Sequence, residues 1–262
     1  MSNDSSVRVD LDQRIATITL RRPQAFNSLD YATLEALREA FEQTVAAPGV
    51  RAIVLRGEGR SFSGGGDVMA MHAHADDLPG FIGRMIESFH TTVMVISRAQ
   101  VPVIASVQGA IAGGGISLAL ACDLVLAARS TRFVTAYAQL GASSDGGLSF
   151  RLMQRVGSAR ALELLTLHDT LTAEQAHELG LINGVVDAES ADAGALLWAH
   201  KLVALAPQAV AEFKQLIAVQ SREALQAQLD REKAAFQRCA GTEDFARRVA
   251  AFASRSAARS KA

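Results

Sequence analysis

Apolar and polar residues alternate near the start of the chain and then give way to continuous apolar runs. The alternation predicts a β-hairpin over residues 7–20, and Pro23 ends its second strand because proline cannot donate a hydrogen bond to a ladder. Apolar residues that recur on one helical face predict helices from about Asp30 and over residues 81–97. Uninterrupted apolar runs predict buried strands over residues 52–55, 101–107 and 124–127.

The pattern changes after Gly157, where helical periodicity dominates apart from a short apolar run at Val185-Val186. We expect the last residues, 255–262, to fray. Strands that alternate with helices, followed by a run of helices, predict an α/β fold with a helical C-terminal part. We therefore divide the chain into a core that carries the site, residues 1–200, and a C-terminal helical region, residues 201–262.

Two glycine-rich loops, residues 63–66 and 113–115, each follow a predicted strand and precede a predicted helix. Glycine permits close backbone approach, and the first N–H groups of a helix have no partner within the helix. Two such donors aimed at one point would form an oxyanion hole. From the spacing alone, tight packing of a helix on a strand is the favoured explanation of the glycines. Neither loop has the spacing of a phosphate or dinucleotide motif.

Composition excludes several classes of function. Lys and Arg total 26 against 27 Asp and Glu, so the chain lacks the basic excess of a nucleic-acid-binding protein. The longest apolar stretch, residues 109–128, contains Asp123 and consecutive glycines, which argues against a membrane span. Cys122 and Cys239 match no metal spacing, and we expect a reduced, cytoplasmic protein. A polar loop without metal is expected at His72, His74, Asp76 and Asp77.

One segment, from Val101 to Gly115 with Ala121-Cys122-Asp123 after it, resembles the signature of the enoyl-CoA hydratase/isomerase (crotonase) family. The resemblance extends from about residue 7 to about residue 253. Further motifs follow in the family's order: Arg22-Pro23 with Asn27-Ser28-Leu29, Phe62 to Asp67, Leu140-Gly141, Asp145-Gly146-Gly147, Arg155-Val156-Gly157, Leu171 to Ala176 and Gly180-Leu181-Ile182.

The resemblance implies an α/β fold, a crotonase (ClpP-like) spiral of ββα units, with C-terminal helices that assemble a homotrimer or hexamer. It implies an acyl-CoA thioester as substrate, with coenzyme A as part of the substrate and no separate cofactor. The thioester oxygen would accept hydrogen bonds from the backbone N–H groups of Gly66 and Gly114, which would stabilise an enolate. The resemblance also places the following residues at the substrate: Phe26, Ser63, Gly64, Asp67, Val68, Ser117 and Tyr137.

The resemblance leaves the reaction open, because hydratases of this family use two glutamates that this chain lacks. Ser117 occupies one of their positions, and the pair Ala136-Tyr137 occupies the other. Adding water requires a base and an acid, so we favour an isomerase over a hydratase. By position alone, Asp145 is favoured as a helix N-cap. The resemblance reverses this preference, because isomerases of the family carry a carboxylate here. The chain looks closest to the ring-epoxide isomerase of phenylacetyl-CoA catabolism.

Three alternatives remain. The chain could be a hydratase with non-standard catalytic residues, or a non-catalytic acyl-CoA binder that has lost both glutamates. It could also resemble aryl-CoA dehalogenases of the same family, in which an aspartate at the position of Asp145 is a nucleophile. That resemblance would place His90 and the aromatic residues Phe89, Tyr137 and Phe150 around the acyl group. Of these two interpretations of His90, we favour a residue on the face of an amphipathic helix.

Overall fold

A computed structural model describes residues 5–168, 170–187 and 190–259. Its strands are β1 (Val7–Asp12), β2 (Ile15–Leu20), β3 (Ala52–Gly57), β4 (Val103–Val107), β5 (Ala110–Ala112), β6 (Leu124–Ala128), β7 (Arg132–Val134), β8 (Thr170–Thr172) and β9 (Gly184–Val186). The antiparallel pair β1 and β2 confirms the predicted hairpin. Gln13 and Arg14 turn it with positive φ angles of 48° and 67°.

The helices alternate with these strands and then follow one another at the end of the chain. They are α1 (Tyr31–Ala46), α2 (Val68–Ala73), α3 (Leu78–Arg98), α4 (Gly114–Ala121), α5 (Tyr137–Leu140), α6 (Leu148–Thr166), α7 (Ala173–Glu178), α8 (Asp192–Val203), α9 (Pro207–Ala240) and α10 (Glu243–Arg259). The predicted start of the first helix is confirmed, since the Asp30 side chain accepts the Thr33 N–H at 2.7 Å as an N-cap.

The larger sheet has the strand order β1-β2-β3-β4-β6-β9, and every pair after the first hairpin is parallel. The smaller sheet has the order β5-β7-β8. Helices α1 and α3 pack on each other over the main hydrophobic core, and α8 covers β3 and β4 with a second apolar cluster. Because both faces of the parallel strands are covered, these strands are continuous apolar runs in the sequence.

Several element boundaries differ from the predictions. Helix α3 begins three residues before Phe81, because Pro79 lies in its first turn, where a missing N–H costs nothing. Gly114 is already the first residue of α4, whereas the predicted loop over residues 113–115 would end before the helix. The expected polar loop contains helix α2, which includes His72. Helix α10 continues to Arg259, past the expected start of the frayed end.

The C-terminal helices return to the core rather than extending away from it. Helix α9 packs along α3, and α10 contacts α2 and α5. The predicted division between residues 200 and 201 falls inside α8, and it stays a prediction. None of the helices in the described part of the chain is long and apolar enough to cross a membrane.

Candidate active site

The two glycine-rich loops predicted from the sequence pack directly against each other. A Cβ atom on Gly65, whose φ is +82°, would lie 2.5 Å from the carbonyl oxygen of Ala112 and 2.9 Å from the nitrogen of Gly114. Only glycine allows this approach. The nitrogen of Gly66 lies 3.6 Å from the point where a Cβ atom on Gly114 would stand. Residues 66 and 114 are therefore neighbours where the loop after β3 meets the start of α4.

The N–H groups of Gly66 and Gly114 have no hydrogen-bond acceptor in the part of the chain that the structure describes. Gly114 is the first residue of α4, so its N–H has no partner within the helix. Within the described residues, neither N–H donates to a protein acceptor. The backbone on both sides of Gly66 is held by Leu29, which donates its N–H to Gly65 at 2.8 Å and accepts the Asp67 N–H at 3.0 Å.

Both glycines line one cavity of about 30 Å³ together with Asp145. Most of the wall is apolar and includes Leu34, Met71, Ile82, Met85, Phe89 and Phe236. Asp145 is the one carboxylate of the wall within the part of the chain that the structure describes. Methionine side chains are flexible, so the two in the wall allow the cavity to adapt to a ligand larger than its resting volume.

Asp145 belongs to a chain of three polar side chains. The Tyr137 hydroxyl donates a hydrogen bond to Oδ1 of Asp145, and it lies 2.9 Å from Oγ of Ser117. Asp145 keeps some exposed surface in the cavity, but its carboxyl lies deep among protein atoms. This loss of solvation raises the pKa of Asp145 to about 7, against the hydrogen bond from Tyr137, which favours the ionised form.

Comparison with known proteins identifies the family. The sequence matches the family described as enoyl-CoA hydratase/isomerase over residues 10–260. The chain belongs to the enoyl-CoA hydratase/isomerase family. A 1,2-epoxyphenylacetyl-CoA isomerase from Escherichia coli is 35% identical to it, over 92% of this chain and 93% of the relative. A putative enoyl-CoA hydratase/isomerase from Bacillus subtilis is 32% identical, over 91% and 92%.

Solved structures of the enoyl-CoA hydratase/isomerase family have the same fold. The crystal structure of an enoyl-CoA hydratase from Mycobacterium avium subsp. paratuberculosis covers 95% of this chain and all of its own, with a TM-score of 0.86 and 28% identity. These matches confirm the predicted family and the predicted crotonase fold. The relatives are named both as hydratases and as isomerases, so family membership does not decide the reaction.

His90 contacts the turn that carries Asp145 rather than the carboxyl itself. Its ring is buried, and Nε2 accepts the Gly146 N–H at 3.1 Å, which places the ring proton on Nδ1. Burial lowers the pKa of His90 to about 4. The ring is therefore neutral at physiological pH, and it does not supply the positive charge that would hold Asp145 ionised.

Sequence reasoning missed a second buried carboxylate, Glu232 of α9. It is 4% exposed, and its Oε2 accepts the Gly147 N–H at 2.7 Å. The sequence does contain a pattern that indicates burial of Glu232. Apolar residues surround it at helical spacing, and all three are buried: Leu225, Leu229 and Phe236. An acidic residue in such a stripe faces the core and needs a partner there.

The remaining predicted substrate residues lie beside the glycine loops, outside the cavity wall. The Gly64 N–H donates to the carbonyl of Phe26 at 2.8 Å, and the guanidinium of Arg60 lies 4.8 Å from the Phe26 ring centroid. The Ser63 hydroxyl donates to the carbonyl of Asn27 at 2.8 Å.

The cavity wall likewise does not include Asp67, Val68 or Phe150. Asp67 caps α2 by accepting the Ala70 N–H at 3.0 Å, and it pairs with Arg22 at 3.0 Å. Val68 packs against the main core, and Phe150 is buried within α6. In the described chain, no group of three or more His, Cys, Asp or Glu residues could hold a metal ion.

Proposed function

We propose that this chain is an enoyl-CoA isomerase that moves a β,γ double bond into conjugation with a thioester. The observation that carries the proposal is a single cavity lined by Gly66, Gly114 and Asp145. Two unused N–H donors and one carboxylate are the groups that proton transfer through an enolate requires.

In the proposed reaction, the Asp145 carboxylate takes a proton from the carbon next to the thioester carbonyl. The electron pair moves onto the carbonyl oxygen, which the N–H groups of Gly66 and Gly114 stabilise. Asp145 then returns the proton to the γ carbon, and the double bond ends between the α and β carbons. Atoms and charge balance without any further reactant, because the same carboxyl gives back the proton it took.

The electrostatics of the site suit this reaction. Fixed N–H dipoles act more strongly in an apolar cavity than in water, and they need no reorganisation as charge develops. A general base is most effective when its pKa lies near the working pH, and the pKa of Asp145 is raised to about 7. Asp145 is therefore able both to accept and to release a proton near neutral pH.

The polar partners of Asp145 favour isomerisation over hydration. Hydration needs a second group to activate water, and the two candidate positions hold Ser117 and Tyr137. Burial raises the pKa of Tyr137 well above its ordinary value, so its hydroxyl stays protonated and acts as a donor to Asp145. A serine hydroxyl is a weak base. The apolar wall further favours a hydrocarbon acyl group.

We also propose that Phe26, Ser63, Gly64, Asp67 and Val68 border the channel for the coenzyme A part of the substrate, because they adjoin the loop of Gly66. No separate cofactor takes part in the proposed reaction. Assembly of a homotrimer or hexamer through the C-terminal helices and a cytoplasmic location stay predictions from the family resemblance.

The proposal is tested with purified protein and two separate substrates, a β,γ-enoyl-CoA and an α,β-enoyl-CoA. Conjugated thioester absorbance and product mass are followed together. We expect absorbance to rise with the β,γ substrate at unchanged mass. A product heavier by one water from the α,β substrate would instead establish a hydratase.

Two variants separate an enzyme from a binder. Asp145→Asn should abolish turnover while the affinity for coenzyme A is unchanged. Asp76→Asn makes the same chemical change on the exposed surface and should behave as the wild type. If the wild type binds acyl-CoA without converting either substrate, the chain is a non-catalytic binder and the proposal is wrong.

A further inference from the structure

Glu232 is a buried carboxylate to which the proposed reaction gives no role. Its Oε1 accepts the Ser149 N–H at 3.0 Å and the Ser149 hydroxyl at 2.5 Å, and its Oε2 accepts the Gly147 N–H at 2.7 Å. The Ser144 hydroxyl lies 3.4 Å from Oε1. These four donors surround Asp145 in the sequence, on both sides of the turn that carries it. One side chain of the C-terminal region thus binds the turn on both sides of Asp145.

Three of the four donors that Glu232 occupies belong to a helix N-terminus. Gly147 is the N-cap of α6, and Ser149 is in its first turn. The free N–H groups at a helix start favour a nearby negative charge. Glu232 accepts hydrogen bonds from the N–H groups of Gly147 and Ser149 and so places its carboxylate at this helix start.

We propose, on the basis of the proposed function, that Glu232 is a positioning residue for Asp145: from α9 it fixes the turn between α5 and α6 and places a negative charge behind the catalytic carboxyl. The turn needs an external support because Gly146 and Gly147 both have positive φ angles, of 63° and 79°. Glycines alone leave such a turn free to adopt other conformations. His90 supports the same turn from α3 through the Gly146 N–H.

Other titratable groups around Asp145 do not replace this charge. Tyr137 of α5 stays protonated, because burial raises its pKa well above the ordinary value. His90 of α3 stays neutral above about pH 4. Asp230 and Lys233, which flank Glu232 on α9, act electrostatically on His90. Burial raises the pKa of Glu232 above its ordinary value, while the hydrogen bonds from Ser149 and Gly147 favour its ionised form. The charge of ionised Glu232 raises the pKa of Asp145.

The test reads the titration of Asp145 directly. The chain is labelled with ¹³C at aspartate carboxyls, and the Asp145 signal is assigned by its loss in Asp145→Asn. We expect Glu232→Gln to lower the titration midpoint of Asp145 by at least about half a pH unit, because it removes a like charge. Glu223→Gln removes an exposed charge from the same helix and should leave the midpoint unchanged.

Kinetics test the positioning role separately. Glu232→Gln should reduce kcat by about tenfold or more with little change in KM, since a displaced base slows proton transfer without weakening binding. The acid limb of its pH profile should move to lower pH. A folded Glu232→Gln protein with the wild-type midpoint and kcat would overturn the proposal.

A reciprocal measurement keeps the test valid if Glu232→Gln does not fold. Two interacting carboxyls shift each other's pKa, so Asp145→Asn should lower the titration midpoint of Glu232. This midpoint is measured on a chain labelled with ¹³C at glutamate carboxyls. An unchanged Glu232 midpoint would show that the two groups are uncoupled and would overturn the proposal. Both titrations are independent of turnover. A protein without isomerase activity would therefore contradict the proposed function while the coupling is still measured.

Discussion

Replacing Gly114 with alanine separates the proposed oxyanion hole from the stability of the fold. Gly114 has no positive φ, and a Cβ atom there would have ordinary contacts of 3.6 Å to the Gly66 nitrogen and 3.8 Å to Cε1 of Phe89. The methyl group therefore fits. Alanine for glycine at a compatible position stabilises a protein by about 0.4–1 kcal/mol, so we expect the variant to be folded and at least as stable as the wild type.

The catalytic activity of Gly114→Ala should fall, although its stability should not. Gly66 and Phe89 both line the cavity, so the new methyl group would project into it. A carbonyl oxygen must approach the Gly66 nitrogen to about 2.9 Å to accept its hydrogen bond, and the methyl group would compete for that space. Loss of one oxyanion donor lowers kcat by about two to three powers of ten, or about 2.7–4 kcal/mol.

The neighbouring glycine and a remote one provide the controls. A Cβ atom on Gly115 would lie 2.4 Å from the carbonyl oxygen of Ser63, so Gly115→Ala should disrupt the fold itself. A Cβ atom on Gly241 would come no closer than 3.6 Å to its neighbours, so Gly241→Ala should keep both stability and activity. The assay combines kcat/KM for a β,γ-enoyl-CoA with urea unfolding. A folded Gly114→Ala protein whose kcat/KM falls less than about tenfold would refute the oxyanion role.

Three further changes test the surroundings of the site. Tyr137→Phe removes the hydrogen bond that favours ionised Asp145, so the pKa of Asp145 should rise above about 7. The acid limb of the pH–rate profile should then move to higher pH, and a shift to lower pH would contradict this reasoning. Lys214→Met removes the buried ammonium that donates to the carbonyls of Ile96 and Val101 and to Asp123, and it should destabilise the chain by about 2 kcal/mol in urea unfolding with unchanged turnover. Equal unfolding midpoints would show that the buried ammonium is dispensable. Phe236→Leu replaces a side chain of the cavity wall with a smaller one, so kcat/KM for longer acyl chains should rise relative to that for shorter ones. An unchanged ratio of the two kcat/KM values would place the acyl group elsewhere.

Local patterns in the sequence were sufficient where an element is long or is marked by a specific residue. The hairpin, the buried parallel strands and helix α1 all appear in the hydrophobic pattern, since a side chain's burial follows the period of its own element. Strands β5, β7 and β8 have three residues each and are too short to show a period. The glycine loops and Asp145 were found from the order of the sequence motifs along the chain, not from hydrophobic periodicity.

The sequence by itself thus determined the family, the main elements and the candidate groups of the cavity. Only the tertiary structure decided how these groups act on one another. Glu232 is 85 residues from Gly147 in the chain, and His90 is 56 residues from Gly146, yet both hold the Asp145 turn. The pKa of a carboxyl depends on its burial and on charges within a few ångströms. Those distances are set by the packing of α3, α6 and α9, which no local pattern contains.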